Sequence, residues 1–161
     1  MGLSALQSSI LATSTAPDGH LCSNWATLDK CAIVAFAARF DPQPYHLDAD
    51  AAEQSIFGGL CASGWHIAAL ATRLVSETLL HNGLPFVEMT SVSHLTWNRP
   101  SFVNEKISVR IALGPALANS AITGTYNQTL EVDVCNDNGT VVATMSAMAA
   151  IETGPADVAE P

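Results

Sequence analysis

The stretch 60–81, LCASGWHIAALATRLVSETLLH, constrains the fold more than any other part of the chain. From Leu60 to Val75 apolar residues fall on nearly every side of a helix, which is the mark of a helix enclosed by the rest of a domain. Some twenty residues give it a length of roughly 30 Å. Polar side chains return at Arg73, Ser76 and Glu77, so the C-terminal end should reach solvent. Asn82-Gly83 ends the helix, and Pro85 follows.

What encloses such a helix must come from the remaining sequence, and after Pro85 that sequence reads as strand. Residues 86–97 are mixed in period. Ile107, Val109, Ile111 and Leu113 alternate with Lys106, Ser108 and Arg110. Ile122, Tyr126, Leu130, Val132 and Val134 alternate with polar neighbours. Asn138-Gly139 is a strong hairpin signal, and it leads into Val141, Ala143, Met145, Ala147, Ala149 and Ile151. The last two strands should therefore form one long antiparallel hairpin, with small alanines on the face turned to the helix. One apolar helix and a run of antiparallel strands predict an α+β domain, with the sheet wrapped around the helix. Its edge strands need cover, and pairing two copies edge to edge would supply it.

Upstream of the helix the elements are shorter. Asn24 to Leu28 reads as an edge strand. Thr27 or Asp29 can cap a helix over 30–39, with Ile33, Phe36, Ala37 and Phe40 facing the core. Asp48 or Asp50 starts a short helix through Glu53, and Gly58-Gly59 breaks it. Residues 1–20 and 154–161 read as loosely packed ends of a single domain spanning 1–161, with its core at about 24–152.

Between the first helix and the long one lies a proline-stiffened turn, FDPQPYH. Asp41 and Gln43 each precede a proline and are pushed toward extended backbone. Fully extended, Asp41 and His46 would stand about 15 Å apart, so joint action on one water requires the loop to curl. A carboxylate and an imidazole held on a stiff loop suit general acid–base chemistry. At Ser63-Gly64 the long helix begins, and the free N–H groups of a helix N-terminus can hold a negative charge developing on a carbonyl oxygen. Taken singly, Asp41 reads as a residue that closes a helix, His46 as an exposed loop imidazole, and Gly64 as a small packing residue. Their joint occurrence with Pro44 and Phe57 favours function. Ser63 stands equally as a substrate contact or as the helix N-cap. Tyr45, Trp65 and Trp97 could line a pocket, although aromatic residues at such positions more often belong to the core. His66 reads as a hydrogen-bonded structural residue.

This double block resembles the MaoC-like hydratase/dehydratase family, which includes the R-specific enoyl-CoA hydratases. The order is Asp41, Gln43-Pro44, His46, Phe57, Ser63-Gly64, and the resemblance runs over about 29–151. Gln43 stands where the family pattern has Asn, and Ser63 where it has His. The resemblance implies a hot-dog fold and a homodimer with pockets near the interface. It also implies reversible addition of water to a trans-2-enoyl thioester, giving an R-hydroxyacyl product. Asp41 would be the base, His46 its acid/base partner and the Gly64 N–H the oxyanion donor. Ser63, Gln43, Tyr45 and Phe57 would contact substrate. The thioester would be carried by coenzyme A or an acyl carrier, with coenzyme A entering only as part of the substrate and no other cofactor. A hot-dog acyl-CoA thioesterase and a non-catalytic acyl-binding subunit of a larger complex are the alternatives.

Composition narrows the field from another side. A net charge of -9 argues against nucleic acid and anionic membranes as partners. With 48% hydrophobic and only 13% charged residues, the chain can fill a core and has surface to spare for a second subunit. The four cysteines form no CxxC pair, so zinc and dithiol chemistry are not indicated; Cys31 and Cys61 read as buried thiols in a reducing, cytoplasmic compartment. The opening residues lack the basic start of a signal peptide, and no uncharged run is long enough to span a membrane.

Overall fold

The structure, a computed structural model, describes residues 18–119 and 121–153. In chain order the elements are strands β1 (Leu21–Cys22) and β2 (Ala26–Thr27), helices α1 (Lys30–Phe40), α2 (Pro44–Leu47), α3 (Ala49–Glu53) and α4 (Gly64–His81), and strands β3 (Phe86–Trp97), β4 (Lys106–Ala118), β5 (Thr125–Asn136) and β6 (Val141–Glu152). The strands make one antiparallel sheet ordered β1-β4-β5-β6-β3, with β2 also paired to β4. The sheet packs on α4, in the α+β arrangement expected. The ends expected to be loose, 1–20 and 154–161, lie outside the described residues except for 18–20.

The β5–β6 hairpin forms as its alternation dictates. Leu130, Val132 and Val134 on one strand and Ala143, Met145, Ala147, Ala149 and Ile151 on the other are buried. Its turn uses Gly139 at φ 77°, while the Asn136 side-chain oxygen accepts from Asn138 N and Thr140 N. Ile107, Val109 and Ile111 of β4 are buried as well, but Leu113 is not; the register with β5 shifts between Leu113 and Ala116, and the alternation slips there. The mixed period of β3 has the same origin, with register shifts against β6 at Phe86/Glu88, Met89/Ser91 and Val92/His94.

Two expectations about burial need correction. Helix α4 is shorter than 60–81, starting at Gly64, and it buries one face rather than its whole circumference. Ile67, Ala71, Leu74, Val75, Thr78 and Leu79 meet the sheet, while Trp65 and Leu80 are exposed. A single sheet covers only one side of a helix, so apolar composition on the other side is left open in one copy of the chain. On α1, capped by Asp29 through Ala32 N, Ile33 and Ala37 are buried, but Phe40 and Cys31 are exposed. The helix touches α4 along a narrower stripe than its apolar periodicity suggests.

Candidate active site

The turn after α1 does not run extended. Asp41 ends α1, its N–H bonded to Ala37 O. Gln43, in extended backbone before a proline, then delivers Pro44 to the first position of α2, where the fixed φ of proline suits a helix and its missing N–H costs nothing. One helical turn follows, with His46 N bonded to Gln43 O and Asp48 N to Pro44 O. That turn folds the loop back on itself and brings His46 Nε2 to 3.6 Å from Asp41 Oδ2.

Each of the two groups is held from behind. His46 is buried, and its Nδ1 lies 2.7 Å from the Cys61 carbonyl oxygen. A carbonyl only accepts, so Nδ1 carries the hydrogen and Nε2 is the nitrogen that turns to Asp41. Tyr45 packs edge-on against the imidazole with ring centroids 4.5 Å apart, and Phe57 lies 4.8 Å from Tyr45. The Asp41 carboxylate accepts a 2.7 Å hydrogen bond from Ser63 Oγ. The same Ser63 oxygen accepts from Trp65 N at 3.2 Å and so caps α4. Ser63 thus ties the carboxylate to the helix N-terminus while being fully buried itself.

Gly64 is the first residue of α4, where the N–H has no partner within the helix. Trp97, at the end of β3, lies directly against it. A Cβ at position 64 would stand 2.7 Å from the indole, and Trp97 Nε1 donates to Gly64 O at 2.8 Å. Trp65 meets Trp97 edge to face at 5.0 Å.

These residues surround one cavity of about 450 Å³. Asp41, His46, Gly64, Tyr45 and Phe57 line it, so most of the residues singled out in the sequence come together. Ser63 lies behind the wall and reaches the site through Asp41. Gln43 does not reach it: its side chain is exposed, and its role on the page is the backbone turn that starts α2. The rest of the wall was legible only in part: Trp65 and Trp97, which the sequence offered either as pocket lining or as core aromatics, line it, together with Arg99, Pro100, Ser101 and Val142. The link between β3 and β4 is drawn onto the Asp41–His46 side by Ala62 N bonding to Ser101 O and Val103 N to Leu60 O, contacts between segments far apart in sequence.

Burial pushes the Cys61 thiol up from its usual range, which keeps it protonated and unsuited to act as a nucleophile beside His46. Among the described residues no three His, Cys, Asp or Glu side chains converge as a metal cage. No helix among them is long and apolar enough to cross a membrane.

The arrangement can place a carboxylate and an imidazole on one small molecule, next to a free backbone N–H, inside a largely apolar chamber. Comparison with known proteins bears on what that chamber is. A MaoC-like dehydratase from Rhodospirillum rubrum superposes with a TM-score of 0.72 and 32% identity, over 84% of this chain and 92% of that one. The (R)-hydratase from A. caviae involved in PHA biosynthesis shares the fold, with a TM-score of 0.63 and 19% identity over 91% of this chain and 99% of that one. YdeM of Bacillus subtilis (strain 168) is 30% identical over 80 residues, half of this chain; the chain spans 56% of that protein's length. Residues 13–134 match the MaoC like domain, which covers both the Asp41–His46 turn and the helix that begins at Gly64, and the chain belongs to that family.

Proposed function

We propose that this chain is a hydro-lyase adding water reversibly to a trans-2-enoyl thioester to give a 3-hydroxyacyl thioester. The observation that carries this reading is the 3.6 Å approach of His46 Nε2 to Asp41 Oδ2 in the same chamber as the Gly64 amide. The reaction needs two proton transfers and one site for negative charge. Asp41 takes a proton from water as the water oxygen bonds to the β carbon. The alkene electron pair shifts toward the thioester oxygen, where the Gly64 N–H stabilises it. His46, protonated at Nε2, gives its proton to the α carbon as that charge returns. The proton left on Asp41 then passes to His46, and both groups are restored. Because Asp41 and His46 share one side of the chamber, both additions reach one face of the alkene, a syn course. The likeness to (R)-hydratases points to the R product.

The chemistry draws on no metal ion and no redox cofactor; coenzyme A enters as the carrier of the acyl group. We further propose a homodimer joined along β3, which ends the sheet and leaves Val87, Val92 and Trp97 exposed. The four free thiols fit a reducing, cytoplasmic setting.

The test is an enoyl-CoA panel assayed by loss of enoyl absorbance, with wild type and Asp41→Asn. Hydration consumes the enoyl group and releases no thiol, whereas a thioesterase releases thiol. Asp41→Asn should lose about 10²-fold or more in kcat. Unchanged turnover in that variant would remove the proposed base.

A further inference from the structure

Two cavities lie end to end in the cleft between α4 and the strands β3 and β6. The chamber that holds Asp41 and His46, about 450 Å³, is lined on the helix by Gly64 and Ile67 and on the strands by Trp97 and Val142. The second hollow, about 330 Å³, is lined by Ala68 and Thr72 on the same helix and by Leu95 and Met145 on the same strands. Leu95 and Trp97 are two apart in an unbroken stretch of β3, paired with Met145 and Ala143, so they share one face. The cleft therefore continues from one cavity into the other.

Among the described residues Trp65 is the one that lines both cavities. Ala68 and Thr72 follow it at three and seven residues along one face of α4, and both are small. The indole of Trp65 is thus the bulky group that parts the two spaces. Trp97 holds it there: the rings meet edge to face at 5.0 Å, and Trp97 is pinned in turn by its Nε1 bond to Gly64 O at 2.8 Å. Trp65 is 59% exposed, so removing its side chain opens the passage without emptying the core.

The chemistry sets the direction in which an acyl tail would run. The reacting carbons lie at Asp41 and His46, and the thioester oxygen at the Gly64 N–H. Beyond them the chamber is polar at Asn98 and Arg99 and apolar at Trp65, Trp97, Ile67 and Val142. A hydrocarbon tail takes the apolar side and meets Trp65.

We infer that Trp65 sets the length of acyl group this site accepts, by closing the chamber against the hollow and restricting it to short enoyl groups. The inference rests on the hydratase reading and deepens it by naming the substrate class. A long straight chain must either push the indole off Trp97 or fold back inside the chamber, and both lower its binding. With the indole gone, the hollow offers the longer chain further apolar wall.

The experiment compares trans-2-butenoyl-CoA with trans-2-decenoyl-CoA on wild type, Trp65→Ala, Trp65→Phe and the double variant Trp65→Ala with Ala68→Leu. The quantity read is kcat/KM for the long substrate divided by that for the short one, which cancels any loss common to both. Wild type should favour the short substrate. Trp65→Ala should raise the ratio roughly tenfold or more, the effect of added methylene groups in an apolar pocket. Trp65→Phe, a smaller ring still able to meet Trp97, should raise it less. Adding Ala68→Leu fills the hollow and should bring the ratio back down. A wild type that hydrates both substrates equally well overturns the inference, and so does a ratio that neither Trp65 substitution changes. A gain that Ala68→Leu leaves intact also overturns it, because the tail would then lie elsewhere. Calorimetric binding of butanoyl-CoA and decanoyl-CoA to the same four proteins runs alongside. If neither enoyl thioester is hydrated, the hydratase reading fails. The partition then stands if binding shows the same order of length preference, and falls if chain length makes no difference.

Discussion

Ser63 Oγ donates to Asp41 Oδ2 at 2.7 Å and accepts from Trp65 N at 3.2 Å, so one buried hydroxyl both orients the proposed base and caps the helix bearing the proposed oxyanion amide. The two roles predict a double penalty for Ser63→Ala. Loss of the cap should cost about 1 kcal/mol in urea or thermal unfolding. A carboxylate freed to rotate should lower kcat on the order of tenfold, with less change in KM. Ser63→Thr keeps the hydroxyl and should retain more of both. Loss of stability with unaltered kcat would leave Ser63 as a cap alone.

Gly64 and Trp97 form the second linked pair. A methyl group at 64 would stand 2.7 Å from the indole, so Gly64→Ala must push Trp97 away and break its bond to Gly64 O. The expected cost is about 1–3 kcal/mol, as for other overpacked sites, with a shift in tryptophan emission. In a Trp97→Ala background the same substitution should cost much less, because the clashing ring is gone. A double-mutant cycle measures the coupling, and additive effects would mean that the strain lies elsewhere.

How far the sequence foretold this site depends on distance along the chain. Helix α4 and the β5–β6 hairpin were legible because their signals are local: periodicity, Asn82-Gly83 and Asn138-Gly139. The meeting of Asp41 with His46 required a curl, and the extended backbone that a proline favours in the residue before it does not supply one. In fact Pro42 and Pro44 restrain the residues before them, while Pro44 itself opens the single turn of α2. Trp65 and Trp97 stood in the sequence as possible pocket lining, but Pro100, Ser101 and Val142 carried no local signal. Trp97, Arg99 and Ser101 reach the cavity because the β3–β4 link is bonded to 60–62, a pairing that no short-range pattern encodes. Periodicity likewise placed Phe40 on the same stripe as Ile33 and Ala37, but it does not record how wide the neighbouring helix is.

His66 offers a test through pH. Its ring stacks on Phe36 at 4.8 Å, and its Nδ1 is buried with no hydrogen-bond partner among the described residues. Burial lowers its pKa below the ordinary 6.5, opposed in part by the Asp29 carboxylate. The folded state therefore favours the neutral ring, while the unfolded chain takes up a proton more readily. This contribution is fully present above pH 6.5 and is lost as pH falls through the lowered folded-state value. His66→Phe keeps an aromatic ring against Phe36 and removes the titration. Urea midpoints of the two proteins should diverge as pH falls below 6.5, with wild type losing more. Parallel curves would place the acid sensitivity on another group.

The exposed side of α4 and the outer strand β3 belong to one surface. Trp65, Ala68 and Thr72 of the helix and Val92 and Leu95 of the strand line a shared hollow of about 330 Å³ beside the candidate active site. Among the described residues strand β3 pairs only with β6, so none of them pairs with its other edge, and Val92 and Trp97 add exposed apolar area. A long apolar edge of this kind is protected by pairing or it aggregates. Edge-to-edge pairing of two copies satisfies the backbone and covers the open face of α4 together. Val92→Lys puts a charge where the two copies would meet and should convert a dimer to a monomer in sedimentation at micromolar concentration. Because Trp97 of β3 also rests on Gly64, the monomeric variant should lose activity along with its partner, even though position 92 does not line the catalytic chamber. A Val92→Lys protein that stays dimeric would move the interface away from β3, and a wild type that sediments as a monomer would remove the dimer itself.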